Sequence, residues 1–471
     1  MITALGVIAL ARSTFDVPYA EAMAAQAFAV LDRAGIATVG PRTLLFDADA
    51  VRAASAELQR AGVGQLLILQ VTFTDAVTAV ELSELSAKPL AIWAFPEPRT
   101  GGRLRLNSFC GLNLALHALG RAGRLATYLY SAPDAKGIEA AVKALLSAPP
   151  AQTLAKTAAS RAVDKPDARD VAVAQAAVDT LRDTTIGLVG EHPAGFDTCR
   201  FDDAALASLA GVTVKRIGLS DVFARAKAAD DVRVAGLVKT MATTLAGIEG
   251  VDQDQLNKSM RVFTALEGLA ADNKCSSMAV RCWPEMFTEY GCAACGPMGM
   301  LNGQKIPAAC EADVYGALTA RLLQEIAGEP SWLVDIVDMD GASDTGVLWH
   351  CGSAPLSMCD PTFQPEAQIH TNRRMPLLAQ FPLKPGRITI ARISQSRNET
   401  KMIVGSGDVV RAPMSYTGTS AVIRFDGGTD AAMRGLLDGA LEHHVAIVYG
   451  EHRGAVRAAG AKLGLPVVEL A

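Results

Sequence analysis

Apolar runs of strand length alternate with apolar positions at helical spacing through the first part of the chain. Thr3–Ala9 reads as a strand and Val17–Ala34 as a helix, followed by strands at Leu66–Val71 and Leu90–Phe95. Asn107–Ala122 then reads as a helix whose start is rich in Asn and Gly. Strands alternating with helices predict a parallel, doubly wound sheet. The Ala/Pro/Thr/Lys stretch over Ser147–Asp170 reads as a partly helical connector. A second α/β unit begins at Thr185-Ile186-Gly187-Leu188-Val189-Gly190. It continues through a helix from Asp202, a strand at Val212–Ile217 and long helices over 228–272. From about Cys351 the pattern changes to short alternating strands at Gly386–Ile393, Thr400–Val404 and Thr419–Phe425, split by Gly, Asp and Pro. That pattern predicts a small antiparallel barrel or sandwich, closed by a helix near Arg453–Leu463 and a strand at Pro466–Leu470. The expected fold is α/β, with two doubly wound parallel-sheet domains over 1–160 and 161–350 and a C-terminal antiparallel β-barrel-like domain over 351–471.

One strand–helix–strand unit carries candidate chemistry. Apolar positions at Val314, Leu318, Leu322 and Ile326 mark a helix that Gly328 and Pro330 stop. Glu311 stands at what reads as its start, and Asp335 follows 24 residues later inside the strand-like run Ser331–Asp338. A unit of this length can return the second carboxylate to the sheet edge that holds the first. Two carboxylates meeting at a strand end suit metal binding or paired acid/base work. The plainer alternative is that Glu311 caps a helix N-terminus and that Asp335 is an edge-strand acid.

Composition narrows the field. The 471 residues are half hydrophobic and only 5% aromatic, with abundant Ala and Gly, as compact α/β layers require. The balance of 44 basic and 49 acidic residues gives a net charge of −5, and no basic stripe with interleaved aromatics points to nucleic acid. No apolar run reaches the ~18 residues of a membrane span, and Met1–Gly6 enters a strand without a charged leader, so a cytoplasmic location is expected. A G-x-G-x-x-G after the first strand and a phosphate-binding G-x-x-x-x-G-K-[ST] are both missing, which argues against nucleotide chemistry.

Nine cysteines fit a reducing compartment rather than a disulfide framework. Cys275, Cys282, Cys292, Cys295 and Cys310 could hold zinc or an iron–sulfur cluster, but the second C-x-x-C of a structural zinc site is missing. Histidines are scarce, seven in all. His350 ends an apolar strand, and His443-His444 opens the strand Val445–Gly450. Period-2 geometry would send the two adjacent rings to opposite faces, so only one of them would reach a given ion. Two carboxylates with one or two imidazoles suit a Mn²⁺-like or Mg²⁺-like cation with open positions for substrate oxygens.

With these residues the chain resembles the L-fucose isomerase / L-arabinose isomerase superfamily over nearly its whole length. The resemblance rests on Gln70-Val71-Thr72-Phe73-Thr74 before the Lys88-Pro89-Leu90 strand, on Glu311-Ala312-Asp313-Val314-Tyr315-Gly316 with Asp335, and on the HisHis strand. It implies a metal-dependent aldose–ketose isomerase working through a metal-bound cis-enediol. Glu311 and Asp335 would be acid/base groups and ligands, His444 the third ligand, and the cation Mn²⁺, or else Co²⁺ or Mg²⁺. It also implies a homo-oligomer, trimeric or hexameric, with the active site at a subunit interface and a pentose, 6-deoxyhexose or acidic hexose as substrate. Arg12, Trp93, Arg281, Lys305 and His350 are the candidates for shaping the sugar pocket, and Arg12, Arg281, Lys305 and Arg397 for accepting an acidic tail. The alternative is a sugar-binding or regulatory protein that kept this fold without turnover.

Overall fold

The computed structural model describes residues 4–85, 90–150 and 165–470. Three sheets organise the chain. The first is parallel throughout, with strands ordered Thr38–Val39, Leu5–Leu10, Gln65–Gln70, Leu90–Ala94 and Ala126–Tyr130, and Leu44–Leu45 also beside Leu5–Leu10. Helices Val17–Arg33 and Ser108–Arg121 lie close to the spans that periodicity predicts. The second sheet, also parallel, orders Ala308–Ala309, Ser277–Val280, Thr185–Val189 and Thr213–Ile217. Most of the expected connector, 151–164, lies outside the described residues; helices Ile138–Ser147 and Ala168–Leu181 flank it.

The third sheet closes on itself. Trp332–Asp340 pairs with Thr345–His350, which pairs with Thr419–Phe425, then Lys401–Val410, Gly386–Ser394 and His444–Tyr449, which returns to Trp332–Asp340. Every pairing in this ring is antiparallel, and Leu378–Pro382 and Val467–Glu469 add to it in parallel. The strands read as apolar on both faces because both are covered. Ile388, Ile390, Val445 and Ile447 belong to one core, while Ala391, Ile393, Ala446 and Val448 belong to another. The second core includes the helices Val314–Ala327 and Arg453–Lys462.

Two expectations change. Strands Trp332–Asp340 and Thr345–His350 belong to the barrel, so a boundary at 350 would cut through its sheet. The helix between the two carboxylates therefore crosses from the second parallel sheet to the barrel and does not return to one sheet edge. Among the described residues no helix is long and apolar enough to cross a membrane.

Candidate active site

A cavity of about 760 Å³, counting its mouth, opens where the carboxyl ends of both parallel sheets meet the barrel. Strand carboxyl ends are where α/β sheets present ligand loops. Arg12 and Phe15 follow the first strand and Phe73 follows its neighbour, while Cys282, Trp283 and Glu311 follow strands of the second sheet. The barrel contributes Asp335, His350 and His443.

Glu311 does not begin the helix. It sits in a tight turn, Cys310–Ala312, with φ +56°, and Asp313 is the cap, accepting the Gly316 N–H at 2.7 Å. The left-handed turn lifts the Glu311 carboxylate off the helix axis and into the cavity. Its Oε1 accepts the Trp283 indole N–H at 3.1 Å. Asp335 is not on an edge either; its strand is flanked by Thr345–His350 and His444–Tyr449, and Asp335 is paired in register with Trp349 and His444.

His444 Nε2 lies 3.2 Å from Asp335 Oδ1 and 3.5 Å from Glu311 Oε2. Its Nδ1 lies 2.9 Å from Asp313 Oδ2, and a carboxylate can only accept, so the Nδ1 hydrogen is committed there. Asp313 is held in turn by a bidentate bond from Arg392 at 2.6 and 3.1 Å, all of it buried. Burial alone would raise the Asp313 pKa, but Arg392 and His444 drive it well below the carboxylate range. Burial would likewise raise Asp335, and the imidazoles of His350, His444 and His443 hold it down instead. Glu311 Oε2 and Asp335 Oδ1 are buried without a well-formed hydrogen bond. With Nδ1 committed to Asp313, His444 presents Nε2 to two carboxylate oxygens; these carboxylates push the imidazole pKa up, and either a proton on Nε2 or a bound cation answers their charge.

Comparisons with known proteins place the chain among sugar isomerases. Residues 6–148 match the N-terminal domain of the fucose/sulfoquinovose isomerase family. The sulfoquinovose isomerase of Alkalicoccus urumqiensis is 27% identical over 85% of this chain and 84% of its own length. That of Priestia aryabhattai is 25% identical over 94% of both chains. The sulfoquinovose isomerase of Clostridium sp. (strain MSTE9) is 27% identical over 82% of both. The N-terminal third of the chain matches this family's domain, and the likeness to its sulfoquinovose isomerases extends over 82–94% of the chain. The chain is an aldose–ketose isomerase.

The expected residues of this isomerase divide into those the fold gathers and those it sends elsewhere. Glu311, Asp335 and His444 converge, and Arg12 and His350 line the same cavity. His443 converges too, against the expectation of opposite faces. It precedes the first strand residue, His444, so the two-residue period does not govern it, and its Nε2 lies 3.9 Å from Glu311 and 4.0 Å from Asp335. His350 accepts the Cys351 N–H on Nδ1 at 2.8 Å, leaving Nε2 against the Cys310 thiol at 2.6 Å.

Trp93 is a correction. Its strand buries it fully in the N-terminal core, where the indole N–H binds the Ser131 carbonyl. Arg281 is another, since a bidentate bond to Glu285 and contacts to the carbonyls of Glu191 and His192 engage it beside, not in, the cavity. Lys305 extends over the surface to the Gly328 carbonyl. Arg397 reaches the Asp438 carbonyl at a different hollow. The residue types are right for an anion, but loop direction decides which of them arrive.

Several site residues escaped sequence reasoning. Asp313 stood in the quoted stretch without a role, although Asp-x-x-Gly before an apolar run signals a cap. Arg392 is a lone charge inside an apolar strand, a signal of a buried ion pair. Among the described residues, the groups whose donors lie close enough together to hold one ion are Glu311/His443/His444, Cys310/His350/His444 and Cys199/Asp313/His444; Asp335 belongs to none of them and approaches the cluster most closely at His444. None joins two cysteines, so the thiol-cluster reading finds no cage among the described residues.

Proposed function

We propose that this isomerase converts a sulfonated aldohexose into the matching ketose, with a divalent cation of the Mn²⁺, Co²⁺ or Mg²⁺ type held by Glu311, Asp335 and His444. The observation that carries the proposal is the convergence of His444 Nε2, Asp335 Oδ1 and Glu311 Oε2 within 3.5 Å of the imidazole nitrogen, with the two oxygens otherwise unpartnered. The ligands proposed here are carboxylate oxygens and one imidazole nitrogen; burial pushes the neighbouring thiols up, Cys199 to about 12 and Cys310 well above the ordinary range. That donor set favours a hard cation. A divalent ion bound there would polarise the sugar carbonyl and acidify the adjacent hydroxyl.

The chain's own groups supply the proton traffic. A carboxylate takes the proton from C2 of the open-chain aldose, leaving a cis-enediol, and the proton returns to C1; a second proton passes from O2 to O1. Glu311 and Asp335 both line the cavity and both lie near His444, and Trp283 fixes the Glu311 carboxylate through Oε1. Phe73, Trp283 and Phe287 wall the cavity against bulk water. The substrate class is supported by the relatives named sulfoquinovose isomerase, which match over 82–94% of this chain.

The test is a panel of a 6-sulfonated aldohexose, a 6-deoxyhexose and a pentose, scored for ketose formation with metal-stripped and reloaded enzyme. EDTA should abolish turnover and Mn²⁺ or Co²⁺ restore it, with the sulfonated sugar preferred. Full activity after metal removal overturns the cation assignment, and preference for an uncharged sugar overturns the substrate.

A further inference from the structure

We infer that Arg12 and Arg373, set against one indole at the mouth of the cavity, form the subsite that grips the anionic tail of the substrate. The inference rests on the substrate class proposed above and names the residues that select it. Arg12 leaves the carboxyl end of the first strand, and its guanidinium carbon lies 5.3 Å from the centroid of Trp283 and 5.7 Å from that of Phe73. Arg373 comes from a distant loop and lies 5.6 Å from the same Trp283 ring. Both line the cavity.

Two cations on one ring need counter-charge. Arg12 has a 3.5 Å contact with Asp75, whose side chain is 40% exposed, and the Glu311 carboxylate also supports its charge. Among the described residues Arg373 has no carboxylate of its own, and its guanidinium has no hydrogen bond or ion pair, so its five donors are not engaged by the protein, and Arg373 lines the cavity. Burial lowers the pKa of each arginine, and the charge of Arg12 lowers that of Arg373 further. Such a pair is uncomfortable while empty and well matched to an oxyanion.

The arginines are held in place without their guanidinium groups being consumed. His370 Nδ1 accepts the backbone N–H groups of Asn372 and Arg373, both at 3.2 Å. His370 N–H and its carbonyl close the same turn on Met375 and Arg374. Arg103 joins the two loops, donating to Asn372 Oδ1 at 3.0 Å and to the Thr14 carbonyl at 2.6 Å. Arg103 and His370 are thus positioning residues.

Trp283 links the two groups: its indole N–H holds Glu311 Oε1, and the same ring lies against the two guanidinium groups. A sugar bound through its carbonyl at the carboxylates would carry the rest of its chain along this cavity toward the arginines. A sugar lacking the anion leaves the arginine pair uncompensated, a penalty that selects against neutral substrates. A sulfonate and a phosphate monoester share this chemistry; we assign the sulfonate on the substrate reading proposed above.

The experiment compares a 6-sulfonated aldohexose, the corresponding 6-phosphate and an uncharged 6-deoxyhexose on the metal-loaded wild type, Arg373→Ala and Arg373→Lys. Thermal melting confirms that each variant is folded. The expected result for Arg373→Ala is a KM for the sulfonated sugar raised at least tenfold, roughly one charge-assisted hydrogen bond, with kcat changed much less. The preference for sulfonated over uncharged sugar should fall by the same factor, and Arg373→Lys should recover part of it. An unchanged preference in Arg373→Ala, with the wild type still turning over the sulfonated sugar, overturns the subsite and leaves the proposed function standing. A wild type that prefers the phosphate ester overturns the sulfonate assignment. A wild type that acts only on uncharged sugars overturns the substrate reading and this inference with it.

Discussion

At the scale of single residues, chemistry here depends on which atom of each side chain is already engaged. Glu311 spends Oε1 on Trp283 and keeps Oε2 for the site. Glu311→Gln preserves shape and removes charge and basicity, so turnover should fall at least about 10²-fold in a steady-state assay, with the melting curve retained. His444 lies nearer both carboxylates than His443, 3.2 and 3.5 Å against 4.0 and 3.9 Å. His444→Ala should therefore shift a Mn²⁺ titration of activity further than His443→Ala, although both should shift it. Asp313→Asn should weaken cation binding roughly 10–100-fold by releasing the imidazole it orients. It should also cost on the order of 3 kcal/mol in a denaturant melt, because Arg392 stays buried without its counter-charge.

At the scale of elements, two loops matter more than the strands that carry them. The turn after His370 is tied by one imidazole, whose pKa burial and the charge of Arg373 push down to about 3. The unfolded chain binds a proton there below its ordinary value of 6.5, and the folded chain does not until about 3. Stability from this group is therefore full above pH 6.5 and is lost as the pH falls. Between pH 7 and pH 5.5 the loss should be roughly 1 kcal/mol in urea melts, and His370→Asn, which keeps an acceptor, should flatten that slope. The helix Val314–Ala327 was legible from its period and its Gly328 stop, while its true start was not. Glu311 and Asp313 are both acids two residues apart, and only the turn geometry reveals which one caps and which one faces the cavity.

At the scale of the molecule, the proposed ligands come from different layers. Glu311 follows a strand of the second parallel sheet, while Asp335 and His444 stand on neighbouring strands of the barrel. A cation held by all three would bind the folded arrangement and not the unfolded chain. Adding Mn²⁺ at a hundred times its Kd should then stabilise the enzyme by about 2.7 kcal/mol. A melting temperature unmoved by Mn²⁺, in protein shown to be metal-free beforehand, would count against the ligand set.

The sequence by itself determined most of the elements and the parallel character of the first two sheets, because hydrophobic period is a local property; Glu311, Asp335 and His444 came forward as a ligand set only through the resemblance to a known family. It placed the strands Gly386–Ser394 and Thr419–Phe425 within a residue of their observed ends. Tertiary structure decided the rest. Only closure of the barrel moved Trp332–His350 out of the central unit, since strand partners are chosen by pairing across hundreds of residues. Only the fold separated Arg12 from Arg281 and Lys305, because equal charges on different loops point wherever their backbones turn. Only it joined Arg373 to Arg12 and Asp313 to Arg392, pairs with no spacing to read, whose meaning comes from shared burial beside one indole and one imidazole.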